Sequence, residues 1–157
     1  MMRISPVGFL FEQEEEIYFH ARATTMPSHN SSEAIFSATL IALIIFHLRN
    51  GVSLSKIFQM FQLNPQYTPF KKFNTTCSET LENCLYVLAS SCDFESAIRK
   101  SIQMGGDTDT NASIVGGMAE ALYGIEPQYI SFVNERIPQE FIQVLEKTNY
   151  YTRKRKP

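Results

Sequence analysis

The stretch AIFSATLIALIIFHL, Ala34 to Leu48, decides the fold. Wound as a helix, it puts apolar side chains on every face and leaves none for water. The run is 15 residues long, shorter than the roughly 20 that a bilayer requires. It therefore reads as a helix buried in the middle of a protein interior. Asn30, with Glu33 one turn on, reads as a capping box that opens this helix, and Asn50-Gly51 closes it. Such a helix needs other helices around it.

The flanking sequence supplies them. Leu54, Ile57, Phe58 and Phe61 recur at helical spacing behind Ser53, and Leu81, Cys84, Leu85 and Leu88 do the same further on. Asp93 caps a helix whose Phe94, Ala97, Ile98 and Ile102 are expected to face inward, and Gly105 ends it. Val115, Met118, Ala119 and Leu122 line another face, closed by Gly124 and Pro127. A last helical stretch runs from about Pro138 to Thr148. The stretch LNPQYTPFKKFNTT, residues 63–76, carries a pair of prolines and reads as a surface loop. No stretch alternates with a period of two, and there is no internal repeat. The expected fold class is all-α, with one domain over residues 1–150 and a basic, disordered tail over 151–157.

Composition excludes several function classes. The 157 residues are 44% hydrophobic and 19% charged, which is ordinary for one soluble domain. A net charge of −2 gives no field that would steer the chain to nucleic acid or to an anionic membrane. The basic TRKRKP end reads as a solvated terminus. Cys77, Cys84 and Cys92 form no CxxC pair and are odd in number. That points to buried thiols in a reducing, cytoplasmic setting rather than a disulfide frame or a zinc site. The early EQEEE run is foreign to a secretory signal.

A second stretch carries the chemistry: MGGDTDTNASIVGG, residues 104–117. Asp107 and Asp109 stand two apart, Thr110 follows, and a helix begins beside them. That spacing can bring two carboxylates and a hydroxyl to one point, the oxygen donors that Mg²⁺ or Mn²⁺ prefer. Gly105 and Gly106 let the backbone turn with positive φ. The helix start near Thr108 also offers N–H groups to an anion such as phosphate. An Asp or Thr at a helix start is ordinarily only a cap, but one cap needs one side chain. DTDTNASIVGGM is not an EF-hand loop, because Ala112 holds the place of its glycine and Met118 that of its bidentate glutamate. A phosphotransferase D-x-D would end an apolar strand, whereas AIRKSIQM is an amphipathic helix.

FESAIRKSIQMGGDTDTNASIVGGMAEALYGI closely resembles the C-terminal signature of the ADP-ribosylglycohydrolase family. MRISPVGFLF resembles the family segment that follows its phosphate-contacting Gly-Asn-Gly loop. PSHNSSEAIFSATLIALIIFHLRNG resembles the Thr-His-Asn-His-Pro-Glu-Gly stretch, and FNTTCSETLENCLYVLASS the segment before the signature. The resemblance implies an all-α fold with a binuclear Mg²⁺ or Mn²⁺ centre that hydrolyses the glycosidic bond between ADP-ribose and a protein side chain or related acceptor. It implies that Asp107, Asp109 and Thr110 are metal ligands, that Asp107 and Asp109 are catalytic, and that His29 lies near bound ADP-ribose. His20 and His47 have no such support, and Gly116-Gly117 reads as close helix packing.

The same comparison brings out departures. Neither the family's Thr-Asp-Asp cluster, which carries the opposing metal ligands, nor its Gly-Asn-Gly loop occurs in this sequence. His29 is followed by Asn30-Ser31-Ser32 where His-Pro is usual. The expectation is a C-terminal, N-terminally truncated portion of the fold, acting with an N-terminal partner chain or through self-association. The alternatives are a catalytically inactive remnant or binding module, and a small helical interaction protein. Exposed apolar surface is expected where the rest of the family fold would pack.

Overall fold

A computed structural model describes residues 1–65 and 76–154. Most of the stretch read as a surface loop, residues 66–75, lies outside the described residues. The described chain contains no strand. Its helices in order are α1 (Ser5–Leu10), α2 (Glu14–Thr25), α3 (Ser32–Arg49), α4 (Leu54–Met60), α5 (Cys77–Ser90), α6 (Phe94–Gln103), α7 (Thr108–Tyr123), α8 (Pro127–Asn134) and α9 (Gln139–Lys154). They form two compact units, Met1–Gly124 and Ile125–Pro157.

In the first unit α3 is the axle. It packs against α1, α2, α4, α5 and α7, and its Ile41, Ala42, Ile44 and Ile45 are wholly buried. By length and composition α3 could cross a bilayer, yet most of it is sealed inside this unit. Its end is a Schellman turn: Val52 N–H bonds to His47 O and Gly51 N–H to Leu48 O, with Gly51 at φ +79°. Its start differs from the sequence reading. Ser31 is the cap, accepting from Ala34 N–H at 3.1 Å. Glu33 turns away to another helix, so the Asn30–Glu33 box does not form.

Close approaches lock α1 and α7 in place. A Cβ on Gly8 would lie 2.6 Å from Ala42 O, and one on Gly117 would lie 2.7 Å from Ser5 Cβ. Gly117 thus marks close helix packing, as read, whereas a Cβ on Gly116 would meet only Ile98 Cδ1, at 3.3 Å. Arg49 ties α1 to the end of α3, donating from Nε to Gly8 O at 2.8 Å and from Nη2 to Phe11 O at 2.5 Å.

The periodic face of α5 is buried as expected, with Leu88 0% and Leu85 5% exposed. On α4 only Ile57 is buried, while Leu54, Phe58 and Phe61 are half-buried against the core; α7 buries Val115, Met118 and Ala119 and half-buries Leu122. Ile102 is a correction: it is 56% exposed, because α6 turns only its Ala97 stripe fully inward. The thiols need correction too. Only Cys84 is buried; Cys77 is half-buried, Cys92 is exposed, and all are free.

Exposed apolar surface is present. Tyr18, Phe19 and Phe36 are 53%, 68% and 64% exposed, and a shallow apolar cleft of about 140 Å³ runs between Tyr18, Phe36, Leu40 and Phe61. The second unit exposes Ile130 and Phe132 on α8 and Phe141, Val144 and Leu145 on α9. Helix α9 continues past Thr148 to Lys154, and residues 155–157 lie outside the described residues.

Candidate active site

The turn into α7 takes the shape its glycines allow. Gly105 and Gly106 both hold positive φ, +75° and +74°, a region in which a side chain would be strained. They swing the chain so that Asp107 occupies the N-cap position of α7. Its side chain makes no capping hydrogen bond, so the ordinary structural use of an aspartate here is not what holds it.

The Asp109 carboxyl instead meets Asp107. A hydrogen bond with the Asp107 side chain, then one from Thr110 N–H, holds Asp109 below the usual carboxylate range. The Thr110 N–H donates to Asp109 Oδ1 at 2.9 Å. The same contacts correct one expectation. Thr110 N–H is taken by Asp109, Thr108 N–H by Gly106 O and Asn111 N–H by Asp107 O, so this first turn is not an open anion site.

Asp107 and Thr110 line a cleft of about 410 Å³ that also holds His29. Three segments build its other walls. The turn after α2 contributes Ser28 and His29, the chain start contributes Met1 to Arg3, and α5 contributes Thr76, Cys77 and Thr80. The structure thus gathers Asp107, Thr110 and His29 around one space, with Asp109 exposed at its edge and bonded to Asp107.

The His29 wall is organised by Ser28. Arg3 Nη2 donates to Ser28 Oγ at 2.7 Å, and His29 Nδ1 lies 3.0 Å from the same oxygen. Arg3 can only donate, so Ser28 Oγ accepts from it and is shared between the guanidinium and the imidazole.

The α5 wall is closed at its helix end. Thr76 and Glu79 form a capping box, and Glu33 accepts from Ser78 N–H and Oγ–H at 2.8 and 2.6 Å. Burial pushes the Cys77 thiol up, so it is not primed as a nucleophile. Arg3, Ser28, Thr76 and Thr80 had no signal in the sequence, since only tertiary packing brings their segments to Asp107.

Asp107, Asp109 and Thr110 offer hard oxygen donors on one side of this cleft and suit one face of an Mg²⁺ or Mn²⁺ ion. They do not complete a site: two octahedral cations need about a dozen donor positions. Among the described residues no group of three or more His, Cys, Asp or Glu could hold a metal.

Comparison with known proteins gives the family. A family model described as ADP-ribosylglycohydrolase matches residues 1–155; the chain belongs to that family, whose members are metal-dependent and act on ADP-ribosylated proteins. ADP-ribosylarginine hydrolase Tri1 of Serratia proteamaculans (strain 568) is 26% identical over 141 residues, which cover 81% of this chain and 38% of Tri1. The chain thus spans well under half the length of that relative.

Proposed function

We propose that this chain supplies one side of the catalytic site of a metal-dependent ADP-ribosylglycohydrolase. The observation that carries the reading is the convergence of Asp107, Thr110 and His29 on one cleft, with Asp109 bonded to Asp107. Asp107, Asp109 and Thr110 are the residues that would hold Mg²⁺ or Mn²⁺. When bound, the ion supplies Lewis acidity and a fixed point for the ribose hydroxyls. His29, oriented by Ser28, presents its ring to the ADP-ribose. The cleft's volume of about 410 Å³ suits a small ligand.

The remaining donors come from outside the residues described, on a partner chain, a further segment or a second copy. The exposed Tyr18, Phe19 and Phe36 supply apolar surface for such an association. Light scattering tests this part: a strictly monomeric species that gains nothing from added partner segments contradicts it.

The substrate class follows from the family, and the activity named for Tri1 makes ADP-ribosylarginine the first acceptor to assay. The test is release of ADP-ribose from an ADP-ribosylated arginine substrate with Mg²⁺ or Mn²⁺ present. Metal-dependent release that is abolished in Asp107→Asn supports the reading. Equal release from both proteins refutes it.

The second reading is a non-catalytic binding module. It is favoured by the incomplete donor set among the described residues. ADP-ribose binding with no hydrolysis under any metal, even with a partner supplied, would establish it.

A further inference from the structure

Two helices, one in each unit, expose a face with the same order of residues: acid, apolar, base. On α2 the face carries Glu15, Tyr18 and Arg22, at i, i+3 and i+7. On α9 it carries Glu140, Val144 and Lys147, at i, i+4 and i+7. All six side chains are exposed. Seven residues of helix span about 10 Å, so acid and base stand equally far apart on both.

The four charges are uncommitted. None of them joins an ion pair among the described residues. Their neighbours on α2 are engaged: Glu14 lies 3.4 Å from His47, and Glu16 closes the capping box of its own helix. Between the charges both faces are apolar. Tyr18 walls the cleft of about 140 Å³ that it shares with Phe36, and Phe141 and Leu145 flank Val144, all exposed.

We infer that α9 of one copy docks antiparallel along the α2 face of a second copy. Val144 then meets Tyr18, Lys147 meets Glu15 and Glu140 meets Arg22. The steps of three and four residues on α9 fall opposite the steps of three and four on α2. A parallel arrangement would set acid against acid and base against base. In the antiparallel one the chain runs on from Lys147 toward the acidic EQEEE start of α2, and its sequence there includes the basic TRKRKP stretch. Apolar burial supplies the attraction, and the charges fix its direction. The occupant is a second copy because the complementary helix belongs to the chain itself. The inference stands apart from the glycohydrolase reading, since it concerns assembly whether or not the other cleft is catalytic.

The test is sedimentation equilibrium of the full chain over a range of concentrations, for wild type, Tyr18→Glu, Val144→Glu and an equimolar mixture of the two variants. Both positions are exposed, and circular dichroism checks the fold. Wild type is expected to self-associate, and each variant alone to do so about tenfold or more weakly, as for loss of a central apolar contact. The mixture should associate more tightly than either variant, because one keeps the α9 face and the other the α2 face. Charge reversal reads the register. Glu15→Lys and Lys147→Glu should each weaken association by about fivefold, and the double variant should recover it. Wild type that stays monomeric overturns the proposal. So does either apolar variant that associates as wild type does, which would mean that one face pairs with itself or that another surface is used. A mixture, or a double charge variant, no tighter than its parents overturns it as well.

Discussion

Glu33, one residue inside the start of α3, accepts both hydrogen bonds that Ser78 offers at the start of α5, at 2.8 Å from the N–H and 2.6 Å from the hydroxyl. The contact fastens the axle of the fold to one wall of the cleft. The Ser78 hydroxyl and N–H lower the Glu33 pKa below 4.5, with Glu79 nearby opposing the shift. A depressed folded value means stability that is present above the unfolded pKa and lost as pH falls through the folded one. Wild type should therefore be more stable than Glu33→Gln at neutral pH. The two should converge in acid, as pH falls through the lowered folded value of Glu33, when chemical denaturation is followed against pH. A difference that is constant with pH would show that the carboxylate charge plays no part.

The glycines separate into two kinds, and substitution distinguishes them. A Cβ at Gly8 meets the backbone oxygen of Ala42 at 2.6 Å, which cannot move aside. Gly8→Ala should cost about 1–3 kcal/mol, as overpacking does. A Cβ at Gly116 meets only Ile98 Cδ1 at 3.3 Å, the end of a flexible side chain. Gly116→Ala should be near neutral, since relief of up to about 1 kcal/mol in helix propensity offsets the contact. Urea midpoints of the two variants read this directly, and equal losses would contradict the packing described.

The thiols should react in the order of their exposure. Cys92 is exposed, Cys77 half-buried and Cys84 buried, and burial pushes the Cys84 thiol far above its usual range. Titration with a chromogenic disulfide should show fast labelling at Cys92, slower labelling at Cys77, and labelling of Cys84 only on unfolding. Rapid modification of Cys84 in the folded protein would mean that α5 and α7 part readily.

Much of this was legible in the sequence where one strong pattern met no competitor. The all-round apolar run became α3, and the periodic faces of α5 and α7 became core, because burial alone decides such segments. Helix α2 carried no comparable signal. Its inward stripe is Ile17, Ala21 and Thr25, one residue per turn and one of them polar, too narrow to stand out from an acidic helix. Capping at α3 was misplaced because Ser31 and Asn30 are both good caps, and Glu33 found a tertiary partner in Ser78 that sequence spacing could not reveal. At the candidate site, Asp107, Asp109, Thr110 and His29 were legible by motif. Arg3 and Ser28 were not, since they come to the cleft only through the packing of α1 and α2 against α3.

In the function proposed for this chain, Asp107, Asp109 and Thr110 form one face of a divalent-metal site. Calorimetric titration of the chain with Mn²⁺, repeated on Asp109→Ala, tests it most directly. Saturable binding by wild type is expected, with a loss of at least tenfold in the variant and the fold unchanged by circular dichroism. Undiminished Mn²⁺ binding by folded Asp109→Ala, or none by wild type even with a partner segment present, would contradict it.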